Sequence, residues 1–211
     1  MATPQQDLLA TIATFGEDPQ KLEFRRVEVS GIYLVEEEVL WQARTFKGQS
    51  GHDVLTPLMI GERAIIVNRG WVPIDATGPP VVEAAPPSGV ISVSGIVRKG
   101  IRQGRFGPTD PKEGELDRIS QVDLPRLQRQ IDVELYPFYM QTVSELPERN
   151  LALPHARPVP ISDPGRHFGY AIQWFVFATV VVTGYPILLM RTARTARSKE
   201  YKLQVDSPDP P

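Results

Sequence analysis

The sequence predicts a mainly β domain with short helices, an α+β fold, followed by a single C-terminal transmembrane helix. Three observations predict it. Segments of alternating apolar and polar residues recur along the chain, an uncharged apolar run occupies residues 168–190, and 21 prolines favour a loop-rich domain over a helical bundle. At 211 residues the chain is long enough for one domain with a hydrophobic core, but too short for two domains that each have a substantial core.

Six segments have the period-two alternation and β-branched content that are typical of strands. They cover residues 24–33, 39–45, 54–59, 63–69, 90–98 and 135–143. Glycines, prolines and acidic turns separate them. Their spacing favours an antiparallel sheet or a small barrel-like domain.

Two short helices accompany these strands. Asp123-Leu124-Pro125 is a good helix start, because Asp caps free amides and Pro fits the first turn, and this helix is predicted to run to about Ile131. The stretch 5–15 is a second candidate. The resulting organisation is an N-terminal segment (1–22), a domain (23–162), a transmembrane helix (163–190) and a basic tail (191–211).

The run at residues 168–190 is long enough to cross a bilayer, since it corresponds to roughly 34 Å of helix at about 1.5 Å per residue. Buried core helices keep a polar stripe and seldom run so far without a charge. Basic residues are denser after the run than before it, which places the tail on the cytoplasmic or matrix side and the domain on the opposite side. The basic residues that follow the run are Arg191, Arg194, Arg197, Lys199 and Lys202, whereas the basic residues that precede it are Arg157 and Arg166.

The first residues do not explain how such a domain would be translocated. MATPQQDLLATIATF has neither the basic n-region nor the apolar h-region of a signal peptide. We therefore expect the intact protein to have an N-terminal transmembrane helix that is missing from this sequence.

Composition argues against several function classes. Cysteine is absent, which removes disulfides, thiol catalysis and thiolate metal sites. The three histidines are far apart, and His52 and His155 lie on turn-like stretches where we expect them to be solvated. A net charge of −2 gives no basic field for nucleic acid. No nucleophile-elbow, zinc-protease or phosphate-loop motif occurs, so we expect a protein that is not an enzyme.

Two motifs carry a resemblance to a known family. Residues 67–73 read Val-Asn-Arg-Gly-Trp-Val-Pro, and residues 167–175 read His-Phe-Gly-Tyr-Ala-Ile-Gln-Trp-Phe. With these two motifs in order, the chain resembles the surfeit-locus family of cytochrome c oxidase biogenesis factors. Weaker similarities lie around Gly31, at 48–58 and at 106–111. The chain departs from the family in lacking the first of its two helices and the tryptophan often seen after the proline-rich loop.

The resemblance implies a protein of the bacterial cell membrane, with its domain on the outer side and its C-terminus in the cytoplasm, or of the mitochondrial inner membrane if eukaryotic. It implies a chaperone of respiratory-chain biogenesis, which assists insertion of haem a into the catalytic subunit of a haem–copper oxidase and meets the haem a synthesis enzymes. The alternative is a membrane-anchored scaffold that stabilises the nascent subunit without binding haem.

His167 is the candidate axial ligand of haem iron, because neutral imidazole is a good haem ligand. Tyr170 and Trp174 follow at i+3 and i+7, on the same helical face, where they would pack on the macrocycle. Arg166 and Arg69 are candidate partners of the propionates. The alternative interpretation leaves His167, Tyr170 and Trp174 as residues of an interfacial belt.

Arg69, Gly70, Trp71 and Gly31 form the candidate partner-binding or structural motif. In the structural interpretation, Gly70 allows a bulge or a positive φ, Trp71 belongs to the core, and Arg69 pairs with a local carboxylate. In the partner-binding interpretation these side chains are presented to another molecule.

Overall fold

The computed structural model describes residues 6–101, 109–147, 152–158 and 164–205. The chain forms two compact units, Met1–Val159 and Pro160–Pro211. The first unit is mainly β, and the second contains one long helix.

The described residues of the first unit form eight strands and several short helices. The strands are β1 (Gln6–Asp7), β2 (Arg26–Tyr33), β3 (Val39–Phe46), β4 (Gln49–Ile60), β5 (Arg63–Pro73), β6 (Ile91–Lys99), β7 (Arg118–Ile119) and β8 (Glu134–Leu146). The helices are α1 (Leu8–Phe15), α2 (Pro19–Leu22) and α3 (Leu124–Leu127), with 3-10 turns at Val35–Glu37 and Val82–Ala84. All six predicted strands are confirmed, and β4, β5 and β8 extend beyond their predicted ends.

Both predicted short helices are confirmed, with different bounds. The Asp123 carboxylate accepts a hydrogen bond from the Arg126 amide, as expected of an N-cap, but α3 ends at Leu127 rather than near Ile131. At the N-terminus the Asp7 carboxylate accepts from the Ala10 amide at 2.9 Å, so α1 begins at Leu8.

The sheet is mixed, which corrects the prediction of an antiparallel sheet. Its strand order is β1-β2-β6-β8-β5-β4-β3-β7. β8 lies between β6, to which it is antiparallel, and β5, to which it is parallel. Hairpins cannot produce this arrangement, because parallel neighbours need a crossover connection, and here the chain passes through β7 and α3 before it forms β8.

The barrel-like alternative describes the sheet better. β2 pairs with β4 at Ile32↔Met59 and Tyr33↔Leu58, so that β2, β6, β8, β5 and β4 form a closed ring. Gly31 permits this closure. A Cβ at Gly31 would overlap the carbonyl oxygen of Met59 and lie 2.9 Å from the Leu58 side chain.

The strand β5 is buried on both faces, and two hydrophobic clusters share it. Ile65 and Val67 belong to the cluster that packs beneath α1. Ala64 and Ile66 point the other way, into the cluster that α3 covers. A third, smaller cluster contains Val72 and lies under the loop between β5 and β6. This central position makes β5 a rigid support for the motif at residues 67–73.

The second unit is the helix α4 (Pro164–Val205). It confirms that residues 168–190 are helical, and the helix continues through the described part of the predicted basic tail, to Val205. Within the residues that the structure describes, no helix combines the length and the apolarity that crossing a membrane requires. The predicted transmembrane role of this helix is therefore not supported by that finding.

Candidate functional site

The motif at residues 67–73 lies in the C-terminal half of β5 and binds residues 152–158, which we call the strap. The Trp71 amide donates to the His155 carbonyl at 2.8 Å, and the His155 amide donates to the Trp71 carbonyl at 2.7 Å. This antiparallel bridge lies outside the named strands. The strap is the last described segment before α4, so the first motif holds the chain shortly before the second motif begins.

Gly70 makes room for the strap. It has a φ of +129°, which side chains rarely adopt, and a Cβ there would overlap the His155 carbonyl oxygen. The register between β4 and β5 shifts here, with Val54 opposite Gly70 and Leu55 opposite Asn68. This leaves Arg69 as the extra residue of a bulge. Gly70 thus combines a positive φ with a close backbone approach.

Three rings stack where the strap meets the sheet. The His155 ring lies 5.3 Å from the Phe46 ring and 6.0 Å from the Trp71 ring, measured between centroids, and Phe46 and Trp71 are 5.5 Å apart. Trp71 is buried and donates its indole N–H to the Arg44 carbonyl at 3.2 Å. His155 is exposed, which confirms the prediction that it is solvated.

An ion pair between the partly exposed Arg157 and the buried Asp53 also fixes the strap. Arg157 approaches Asp53 Oδ1 with Nε at 2.7 Å and Nη2 at 2.6 Å, and its Nη1 donates to the Thr45 carbonyl at 3.0 Å. Asp53 is fully buried, and its other oxygen accepts from Asn68 at 3.0 Å and from Arg44 at 3.3 Å. Loss of Arg157 would be costly, because the buried Asp53 carboxylate would keep only the more distant Arg44 as a cationic partner.

Arg69 lies in a second buried network and is fully inaccessible to solvent. Its Nη1 lies 3.3 Å from Glu38, its Nε lies 3.6 Å from Glu145, and its Nη2 donates to the Ala84 carbonyl at 2.7 Å. Tyr33 completes the network by donating to Glu145 at 2.7 Å. The guanidinium is already engaged within the protein, so a propionate would have to displace Glu38 to reach it.

The Glu38 carboxylate shows how this network is balanced. Burial raises the pKa of Glu38 above its ordinary value, while hydrogen bonds from the Val81 amide, Thr56 and Arg69, together with the charge of Arg69, act in the opposite direction. The network joins β2, β5 and β8 to the residues that precede β6. Sequence reasoning missed Glu38 and Glu145, because partners so far apart in sequence leave no local pattern.

His52 corrects another prediction. The sequence predicts a solvated side chain, but His52 is buried on β4, and neither of its ring nitrogens has a hydrogen-bond partner among the described residues. Burial lowers the pKa of His52, the charge of Arg118 lowers it further, and Asp53 opposes both effects. The residues around His52 resemble a turn in the sequence, but they belong to the long strand β4, which starts at Gln49.

The second motif, at residues 167–175, lies on α4. The backbone of Arg166 and His167 is helical, but their side chains lie outside the described part of the structure. Tyr170 and Trp174 are 68% and 70% exposed, and Trp174 contacts Phe177 edge-on at 6.2 Å. In the ranges that the structure describes, no group of three or more His, Asp or Glu residues is arranged to hold a metal ion.

Comparison with known proteins gives consistent matches. The model of the SURF1 family matches residues 1–179, which include both motifs. A SURF1-like protein of Monosiga brevicollis is 35% identical over 49% of this chain and 44% of its own length. An uncharacterized SURF1-like protein of Mycobacterium tuberculosis is 27% identical over 93% of this chain and 68% of its own length. Surfeit locus protein 1 of Arabidopsis thaliana is 26% identical over 76% of this chain and 59% of its own length. The matched regions thus span between 44% and 68% of these relatives.

Proposed function

The chain belongs to the SURF1 family, and from this premise we propose that it is a membrane-attached, non-enzymatic assembly factor for cytochrome c oxidase. Its task in this proposal is to assist the insertion of haem a into the catalytic subunit. The observation that carries the proposal is the family match, which spans the strap-binding motif on β5 and the His167 motif on α4.

Membrane attachment is proposed through α4. Trp174, Phe175, Val176 and Phe177 occupy four successive positions and therefore point in four directions around the helix. Their exposed fractions are 70%, 75%, 54% and 51%. A helix that is apolar all round requires an apolar environment rather than water. The basic residues after Met190 favour a cytoplasmic C-terminus, with the domain on the outer side of a bacterial membrane.

Haem a enters this proposal as cargo. Because α4 is continuous, His167, Tyr170 and Trp174 at i, i+3 and i+7 share one face of it. The exposed rings of Tyr170 and Trp174 are free to pack on a flat apolar molecule. The His167 imidazole would supply an axial nitrogen to the iron, and the neighbouring Arg166 would pair with a propionate. The partners would be the oxidase catalytic subunit and the enzymes that synthesise haem a.

The strap gives the domain a role in the same task. Gly70, the His155 bridge and the Arg157–Asp53 pair hold residues 152–158 on the sheet. His167 follows Pro158 by only nine positions in the sequence. We propose that the domain binds the oxidase subunit, and that the strap holds the chain just before the segment that leads into α4.

One observation favours the rival role of a scaffold that stabilises the nascent subunit without binding haem. Arg69, the candidate propionate partner in the first motif, is fully buried and paired with Glu38. A contribution of this ion pair to the stability of the domain is enough to account for Arg69, without any bound cargo. The scaffold role therefore requires no cargo site in the first unit.

A deletion strain tests the shared part of both roles. Deleting the native gene should lower the assembled haem a-type oxidase, while bc-type complexes and haem a synthesis stay largely intact. Normal oxidase spectra and activity, in a strain with no paralogue, would refute the assignment.

A purified variant separates the two roles. The protein should carry a Soret band when it is co-expressed with the haem a synthesis enzymes, and His167→Ala should abolish that band, because an axial nitrogen is lost. Tyr185→Ala, further along α4, is the matched control for insertion and expression. Unchanged haem content in His167→Ala would favour the scaffold.

A further inference from the structure

We propose that the tip of the β3–β4 hairpin and the adjoining strap form a surface that binds the headgroups of anionic phospholipids. We call this surface the tip surface and define it by Arg44, Phe46, Lys47, His155 and Arg157. The inference rests on the membrane attachment proposed above and adds a second, reversible contact with the bilayer.

The hairpin holds its tip in one conformation. Phe46 pairs with Gln49, and the two residues between them, Lys47 and Gly48, have φ angles of +47° and +82°. Two positive φ angles in a two-residue loop are the signature of a type I′ turn, which matches the twist of the flanking strands. Lys47 is exposed at this turn, and its Nζ lies 5.4 Å from the centroid of the Phe46 ring.

The rings beneath the tip are anchored and, among the described residues, only partly covered. Phe46 is only partly buried and stacks on His155, which is exposed, and on Trp71, which belongs to the core. An aromatic ring beside a cation on a fixed support has the composition of protein surfaces that favour the headgroup layer.

The tip surface carries excess positive charge. Arg44 and Arg157 share a single carboxylate, that of the buried Asp53. Lys47 beside the Phe46 ring adds a third cation, so these three cations and Asp53 together carry a charge of +2 before any protonation of His155. Anionic lipids attract such clusters, and one cation near the surface changes a binding equilibrium about fivefold.

Only a short stretch of sequence separates the strap from α4. Arg157 donates to the Thr45 carbonyl at 3.0 Å, so the strap is bonded to the hairpin near its tip. The strap reaches Pro158, and α4 begins at Pro164. Six residues span at most about 21 Å, even when the chain is fully extended. If the apolar run of α4 enters the bilayer, a connection this short allows the tip surface to reach the headgroups, and its positive charge is why we assign it to anionic lipid rather than to a protein partner.

The absence of cysteine makes the test direct, because one introduced cysteine labels one site. The full chain would be reconstituted with a fluorophore at Gln49→Cys, which pairs with Phe46 beside the tip surface, at Glu113→Cys on an exposed loop, or at Val176→Cys on α4. Quenching by headgroup-labelled lipid would be measured in phosphatidylcholine vesicles with and without phosphatidylglycerol.

The tip label should be quenched in vesicles with phosphatidylglycerol, less in pure phosphatidylcholine, and less in high salt. Lys47→Gln should lower the ratio of lipid-bound to free tip about fivefold, whereas Lys112→Gln, a matched change on an exposed loop, should not alter it. The Glu113→Cys label should stay unquenched throughout.

Quenching of the tip that is independent of lipid charge or of Lys47 would overturn the proposal. If an acyl-chain quencher reaches the Val176→Cys label, α4 is inserted in the bilayer. An unquenched tip label in that case would also overturn the proposal, because the second contact is missing. If the α4 label is not quenched either, the proposed membrane attachment itself fails, and this inference fails with it.

Discussion

Replacing Gly70 with alanine tests whether the first motif exists to hold the strap. The new Cβ would overlap the His155 carbonyl oxygen, and the backbone of residue 70 would keep a φ of +129° only under strain. The strap must therefore move away from β5. Two backbone hydrogen bonds between Trp71 and His155 are lost as it moves, and the ring stacking is disturbed.

The expected cost follows from these contacts. Strain at an unfavourable φ contributes about 1–3 kcal/mol, and the loss of two hydrogen bonds contributes about 1–3 kcal/mol more. The free energy of unfolding should thus fall by about 2–6 kcal/mol. Gly61→Ala is the matched control, because Gly61 also has a positive φ, of +62°, but has no atom within 4 Å of an added Cβ. Its cost should be about 1–2 kcal/mol, from strain alone.

Urea denaturation of both variants in detergent, followed by far-ultraviolet circular dichroism, measures the two costs. Hydrogen exchange of the Trp71 amide, which donates to His155, reports directly on the strap. If Gly70→Ala lowers the free energy of unfolding no more than Gly61→Ala does, or if the Trp71 amide keeps its protection, then Gly70 is not required for binding the strap.

Three further predictions concern the buried parts of the first unit. Gly31→Ala should open the contact between β2 and β4, because its Cβ would overlap the Met59 carbonyl, and unchanged amide protection there would contradict this. Arg69→Met should cost about 3–5 kcal/mol by leaving Glu38 buried without its cation. Adding Glu38→Gln should restore part of that loss in a denaturant titration, and equal stabilities of the single and double variants would argue against the pairing. Burial lowers the pKa of His52 below its ordinary 6.5, so the unfolded chain binds the proton first, and stability should fall as the pH drops from about 6.5 through the lowered pKa. His52→Leu should lack this loss in denaturation curves across that range, and a slope equal to the wild type would show that another group titrates.

Much of the local structure was predictable from the sequence. The six strands follow from alternation, because a strand with one buried face must place apolar residues at every second position. The start of α3 follows from Asp123 and Pro125, since capping depends only on neighbouring residues. The helicity of residues 168–190 follows from their unbroken apolar composition.

Strand direction and ring closure were not predictable in the same way. Alternation looks the same in parallel and antiparallel strands, so it does not show that β8 runs parallel to β5. Whether Gly31 approaches Met59 depends on how the whole sheet curls, and neither residue indicates this by its neighbours.

By itself, the sequence determined the elements of this protein, the family motifs and the types of residue available for chemistry, because all of these are recorded in short stretches of chain. Only the tertiary structure decided what Gly70 faces, which carboxylates neutralise Arg69, and that His52 is buried. Those outcomes depend on contacts between residues far apart in sequence, such as Trp71 with His155 and Asp53 with Arg157. Such contacts close long loops of chain, and the entropic cost of closing a loop depends on its length rather than on a repeating residue pattern. The residues at the two ends of the loop therefore give no local sequence signal of the contact.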